Sequence, residues 1–376
     1  MKILNWAMGL ISQWMTWRTR RRNLGIALFG IIAMMFIALA SGGFTVEAVG
    51  VAGLIKVFKF STGEGLPGHL LSLSVYFLIC LTVIAVGLAL DGYLRDRRQE
   101  DINRVVVVEM RGLVDTSDHP LIAAVPPALV GQRVDALVDV RMLLTGPAPN
   151  VVEAMREIDD VRRTVRRARG DAARADVNVL AGGVMHVPLL FYAGTLFDDE
   201  GKVVLMDWER TAGKWLELTE ADDGGRFNIT GLDIAPSSDV VVAVSASYPA
   251  SLDDVAATFP GLPVVHLGRV NPSPNTLWSE ETQAALTQQF LQTMAALPER
   301  GVKTVHLVLA APATLSIRFG KAYDHRNMPN LRCYQREREH LPPYPWSIQM
   351  ATATQVARYV ATPNTAVVDV QPEGTL

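Results

Sequence analysis

Three short runs of small and hydroxyl-bearing residues are where this sequence could hold an anion. Ser245-Ala246-Ser247-Tyr248-Pro249 and Ala310-Ala311-Pro312-Ala313-Thr314 each follow an apolar, β-branched run and lead into a helical pattern. Ala181-Gly182-Gly183-Val184-Met185-His186 is a third junction of the same kind. In open parallel sheets ligands bind beyond the carboxyl ends of the strands, where a helix N-terminus offers free N–H groups to an anion. Small side chains there let a phosphate approach the backbone. Ser245 and Ser247 add hydroxyls, and Tyr248 adds an aromatic face for a base. The competing reading is that small residues only permit a tight strand-to-helix turn, and residue types alone leave both open.

Signatures of catalysis are missing. The chain has no G-x-S-x-G elbow, Walker A sequence, H-E-x-x-H or C-x-x-C. Seven histidines are scattered, and His266 and His306, set in apolar runs, read as hydrogen-bonded core residues. Asp198-Asp199-Glu200 before Gly201-Lys202, and Asp222-Asp223-Gly224-Gly225, read as turns. The arginines between Arg162 and Arg174 are offset by Asp159, Asp160 and Asp171 and read as a solvated helix face. No catalytic or metal-binding residue and no cofactor is assigned. The enzymatic alternative is a membrane-tethered hydrolase or ring nuclease using His186 or Ser245.

The elements that must position these runs alternate from Arg104 onward between short strands and amphipathic helices, the pattern of parallel α/β units. A first pass predicts strands at Val105–Glu109, Ala136–Leu144 and Val177–Leu180, helices at Val151–Arg169 and Val187–Leu196, and closing strands at Val203–Met206 and Trp215–Leu218. Asn150 with Glu153 marks a helix start, and Met155, Ile158, Val161 and Val165 line one helical face. A second pass repeats the order. It has strands at Val240–Ser245, Val264–Leu267 and Thr304–Leu309, helices at Leu252–Ala257, Glu280–Leu297 and Thr314–Ala322, and closing strands at Leu331–Tyr334 and Trp346–Gln349. In each pass the third strand runs into a helix carrying a glycine, Gly194 or Gly320. Two such units predict a pseudo-dimeric domain with a shared crevice.

Ahead of them lie two long uncharged runs. Asn23–Val46 follows Arg18, Arg20, Arg21 and Arg22; Leu70–Leu90 precedes Arg95, Arg97 and Arg98. At about 1.5 Å per residue either can cross a hydrocarbon core of roughly 30 Å. The outer arginine clusters place the N-terminus and residues 91–376 in the cytoplasm, a two-pass topology. Trp6, Trp14 and Trp17 suit an interfacial segment over 1–22. The second span and the long basic lead argue against a cleaved signal peptide despite Ala38-Leu39-Ala40. Gly63-Glu64-Gly65-Leu66-Pro67-Gly68 matches G-x-G-x-x-G only in letters, since it follows no strand. The first 98 residues carry ten Lys/Arg against four Asp/Glu, whereas the remainder carries 25 against 34. An acidic soluble part argues against binding long nucleic acid. Two cysteines, Cys80 and Cys333, form no disulfide framework.

The run Val305–Tyr323, followed by Asn330–Gln335, resembles the C-terminal signature of SAVED domains, with an apolar-Ala-Pro turn entering a glycine-bearing helix. Val241–Pro249 is similar to that family's serine-bearing strand, and Asp207-Trp208-Glu209-Arg210 to its first half. The resemblance covers about 105–376 and implies an α/β domain of two fused CARF-like, Rossmann-like units, 105–230 and 231–376, behind two transmembrane helices within 23–98. It implies a CBASS anti-phage effector in the bacterial inner membrane that senses a cyclic oligonucleotide, foremost a cyclic trinucleotide, made by a partner cyclic-nucleotide synthase. Ligand would drive homo-oligomerisation and disruption of membrane lipid, an abortive infection response. The implied ligand contacts are Met185, His186, Ser245, Ser247, Tyr248, Ala310, Pro312 and Thr314, with Trp208, Arg210, Tyr334 and Arg336 near the rim. Ala85 and Ala89, four apart, would let membrane helices pack closely.

Overall fold

The computed structural model describes residues 25–33, 45–48, 58–61, 68–146, 149–170, 173–197 and 202–362. The expectations for the basic N-terminal segment, most of the first apolar run, the glycine-rich match at 63–68 and the Asp198-Asp199-Glu200 turn lie wholly or largely outside these residues. The chain divides into two compact units, Met1–Ile102 and Asn103–Leu376.

In the first unit residues 25–33 are helical. Strands β1 (Thr45–Ala48) and β2 (Phe58–Ser61) pair antiparallel, from Thr45 opposite Ser61 to Ala48 opposite Phe58. Thr45 and Val46, the last residues of the first uncharged run, therefore lie in a strand. Helix α1 (Gly68–Ile102) continues well past the second run. Its stretch Tyr76–Arg95 is the one helix among the described residues long and apolar enough to cross a bilayer. Tyr76, Phe77 and Val83 turn their apolar surface outward, whereas Ile32, Leu78 and Ala85 are buried together. Gly25 sits where a Cβ would come within 2.8 Å of the Ala85 carbonyl and 2.7 Å of the Ala89 amide. Ala85 and Ala89 thus receive the helix carrying Gly25, the close approach that small residues permit.

The second unit holds two mixed sheets. The first has the order β4-β3-β5-β6-β7: β3 (Arg104–Arg111) lies parallel to β4 (Gln132–Asp139) and to β5 (Val177–Val184). Strand β6 (Lys202–Glu209) follows in parallel and β7 (Lys214–Glu217) antiparallel. In the second sheet β9 (Asp239–Ser245) lies parallel to β10 (Val264–Arg269) and to β11 (Thr304–Ala310). Strand β12 (Asn330–Gln335) continues in parallel and β13 (Trp346–Gln349) antiparallel. The order β10-β9-β11-β12-β13 repeats that of the first sheet strand for strand. Two antiparallel strands, β8 (Phe227–Thr230) beside β10 and β14 (Arg358–Ala361) beside β13, extend only the second sheet. Val105–Val108 and Val240–Val244 are wholly buried, as continuous β-branched runs in central parallel strands must be. The third strand of each lobe runs flush with the first, Arg111 opposite Val184 and Ser245 opposite Ala310, so their exits lie side by side.

The segment expected as one strand over Ala136–Leu144 divides in two. Strand β4 ends at Asp139, and Arg141–Leu144 forms a single helical turn, α2. Asp139 bonds both the backbone N–H and the guanidinium of Arg141, a side-chain turn that competes with the ladder. Helix α3 (Val151–Arg169) starts at Asn150, whose side chain accepts from the Glu153 N–H, and it buries Met155, Ile158, Val161 and Val165. Helices α5 (Leu252–Thr258) and α6 (Glu280–Ala296) are likewise capped, by Ser251 and Ser279.

The lobes meet through α4 (Val187–Leu196) and α7 (Ala313–Ala322), the helices that follow β5 and β11. Gly194 and Gly320 face each other at the crossing. A Cβ on Gly320 would stand 2.0 Å from the Phe191 carbonyl, and one on Gly194 would stand 2.2 Å from that of Ile317. The paired glycines of the two passes thus bring the backbones of the two halves into contact. One apolar core runs through both sheets across this junction.

Candidate functional site

The N-termini of α4 and α7 and the exits of β5 and β11 surround one cavity between the lobes, about 260 Å³ in volume. Lobe one supplies Met185 and His186, together with Trp208 and Arg210 from the end of β6. Lobe two supplies Ser247 and Tyr248 after β9, the segment Pro274–Trp278 after β10, Ala310–Ala313 and Gln335. A second pocket of about 580 Å³ adjoins it, with His186 and Gln335 forming walls of both.

The polar groups here are unusual for a protein interior. Helices α3, α5 and α6 carry their own side-chain N-caps, but α4 and α7, the two that open on the cavity, have none. Each points the positive end of its dipole at the cavity. Five buried side-chain atoms among the described residues have no hydrogen-bond partner, and three of them belong to cavity residues: His186 Nδ1, Ser247 Oγ and Gln335 Oε1. Ser247 is only 4% exposed. Each such atom costs about 1–3 kcal/mol unless a polar group, of water or of a ligand, meets it. Burial lowers the His186 pKa, with Glu337 opposing, and favours the neutral imidazole. Burial also holds the Asp207 carboxyl above its ordinary range, against hydrogen bonds from Thr314 and Trp208.

Residues 158–350 match the family described as the SMODS-associated and fused to various effectors sensor domain, SAVED, over just more than half of the chain. The chain belongs to the SAVED family. Residues 1–155 match a second family, the SAVED-fused 2TM effector domain. No curated protein sequence matches. Among solved structures, the Cap4 SAVED/CARF-domain containing receptor of Acinetobacter baumannii, determined with the cyclic trinucleotide 2'3'3'-cAAA, is 12% identical. It aligns over 71% of this chain and 58% of the receptor, with a TM-score of 0.43. The Moraxella osloensis Cap4 receptor is 11% identical over 78% of this chain and 58% of its own, with a TM-score of 0.42. The alignments therefore span less than two thirds of those receptors.

Within this SAVED domain the cavity gathers Met185, His186, Trp208, Arg210, Ser247, Tyr248, Ala310 and Pro312. The structure sets four other sequence candidates apart from it. The Ser245 hydroxyl lies 2.8 Å from His266 Nε2 and accepts the Ala250 N–H at 2.9 Å, which pins the loop that presents Ser247. Thr314 is fully buried beneath the wall, donating to Asp207 and accepting from Gln283. Tyr334, on β12, packs against Phe259, its hydroxyl 2.9 Å from His306 Nδ1. Arg336 faces the adjoining pocket and pairs with Asp254 at 2.7 Å. His266 and His306 are hydrogen-bonded, burial lowering both pKa values. Asp222 and Asp223 fold a turn, accepting from the Gly224 and Gly225 N–H groups and pairing with Arg226 and Arg269.

Sequence reasoning missed Gln335, Asp207 as a cavity residue, and the segment Pro274–Trp278. A signal for the last was present: Asn271-Pro-Ser-Pro-Asn275 breaks the chain at a strand's carboxyl end just before a tryptophan. Asn275 adopts the left-handed conformation (φ 57°), which asparagine tolerates, and its carbonyl accepts from Trp278 Nε1 at 3.1 Å. Trp208, from lobe one, is held edge-on by Trp215, ring centroids 5.2 Å apart.

Proposed function

We propose that this SAVED domain is the receptor for a cyclic oligonucleotide, foremost a cyclic trinucleotide, and that its occupancy triggers the membrane effector. The observation carrying this reading is the convergence of three unpartnered buried polar atoms and two uncapped helix N-termini on one interlobe cavity. Helix termini and Ser247 suit phosphate oxygens; Trp208, Tyr248 and Trp278 suit base faces. A ring of nucleotides exceeds the inner cavity and extends into the adjoining one past His186 and Gln335, a combined space within the ordinary range for ligand sites. The two lobes, 105–230 and 231–376, act as fused CARF-like units gripping opposite sides of the ring. Ligated copies associate, which concentrates two-helix hairpins from 23–98 in the bacterial inner membrane, both chain ends cytoplasmic, and breaches it. A cyclic-nucleotide synthase of an anti-phage system supplies the messenger. The domain acts by binding, without turnover; the Ser245 hydroxyl, engaged by His266 and Ala250, is outside the inner cavity.

Detergent-solubilised full-length protein titrated with cyclic di- and trinucleotides tests this. Heat of binding, a rise in particle mass, unaltered nucleotide and dye release from proteoliposomes are expected. No heat and no mass change with any member of the panel overturns the receptor reading, whereas linear product would establish the hydrolase.

A further inference from the structure

Asp207 is the one carboxylate among the described residues lining the inner cavity. A carboxyl group gives a phosphate no counter-charge, so in a site for a phosphodiester ring it must face something else. It is also held in place. Trp208 donates its N–H to Oδ1 at 2.9 Å, and the Thr314 hydroxyl donates to Oδ2 at 3.0 Å. Gln283 Nε2 donates to that hydroxyl at 2.9 Å and to the Leu277 carbonyl at 2.8 Å, so groups from both lobes fix the carboxylate. Each carboxylate oxygen retains capacity for a further donor. A second acceptor, Gln335 Oε1, is buried in the same cavity without a donor, its amide nitrogen being committed to the Arg336 carbonyl. Surplus acceptors beside the rings of Trp208 and Trp278 match the N–H-bearing edge of a stacked base.

Resting on the receptor reading above, we propose that Asp207, assisted by Gln335, selects the base: it accepts the N–H of an exocyclic amine, as adenine carries at C6. A base with a carbonyl at that position sets oxygen against oxygen and leaves the acceptors unmatched, the kind of mismatch by which polar sites discriminate most strongly.

Calorimetry on the full-length protein in detergent tests this with cyclic tri-adenylate and cyclic tri-inosinate of identical linkage, which differ in the amine. Wild type is expected to bind the adenylate ring at least about tenfold more tightly. Asp207→Asn, whose amide can turn a donor toward a carbonyl, is expected to narrow the preference to about threefold or less, chiefly by gaining affinity for the inosinate ring. Equal binding of the two rings by wild type overturns the proposal while leaving the receptor reading intact. Parallel loss of both rings in Asp207→Asn, at an unchanged melting temperature, overturns it in favour of a structural role. Equal binding by wild type overturns the proposal even where the variant fails to fold. If wild type binds neither these rings nor any other cyclic nucleotide, the receptor reading falls and this inference with it.

Discussion

Two serines separated by one residue show how finely the exit of a strand divides labour. Ser245 closes the ladder of β9, and its hydroxyl joins His266 to the Ala250 N–H; Ser247 turns an unpartnered hydroxyl into the cavity. Their alanine variants should therefore part company. Ser245→Ala leaves a half-buried imidazole nitrogen and an amide without a partner, and is expected to cost about 1 kcal/mol of stability with a smaller effect on ligand affinity. Ser247→Ala removes an unmatched group, so stability should hold within about 0.5 kcal/mol while affinity falls about tenfold. Thermal denaturation and calorimetry on the same pair of variants measure both effects.

Among the elements, the α4–α7 crossing carries the architecture. In an exposed helix Gly→Ala stabilises by about 1 kcal/mol, because alanine loses less backbone entropy on folding. At residue 320 the sign reverses, since a methyl group would sit 2.0 Å from the Phe191 carbonyl and no rotamer can relieve it. Gly320→Ala is expected to destabilise the second unit by about 2 kcal/mol or more and to widen the cavity whose walls these helices set. A denaturant midpoint shifted down at constant slope would verify the first effect, and weakened ligand binding the second. The Gly25 contact with Ala85 and Ala89 follows the same rule in the first unit. That small-residue face is already occupied within the first unit, so the association proposed above would use other faces of α1.

For the molecule as a whole, burial sets how stability answers to pH. His186, His266 and His306 all have pKa values lowered by desolvation from 6.5. As pH falls through that value the unfolded chain takes up protons before the folded one does, so stability drops below about pH 6.5. Asp135 and Asp207, raised by burial, work in the opposite direction because the folded state protonates them first, two groups against three. The carboxylates lowered by ion pairs and hydrogen bonds, such as Asp222 and Asp239, lose their contribution only at much lower pH. The melting temperature of the full-length protein should fall from about pH 7 to about pH 5.5, and His306→Gln should flatten part of that slope. A flat profile would show that the histidines titrate alike in both states.

Residue pattern by itself determined the two passes of strands and helices, the apolar second span, and the helix starting at Asn150, because each rests on local periodicity and capping. It also marked Gly194 and Gly320 as equivalent, and it pointed to the strand exits as the place for a ligand. Only the tertiary structure decided that these two glycines touch, that Ser247 rather than Ser245 faces the cavity, and that Thr314 is spent on Asp207. It likewise showed Arg141–Leu144 to be a helical turn, where a side-chain bond from Asp139 outweighs β propensity. Which atoms share a cavity depends on how two sheets distant in sequence cross through α4 and α7. A strand's alternation shows which residues share a face, but the angle and depth at which that face meets its counterpart come from packing alone.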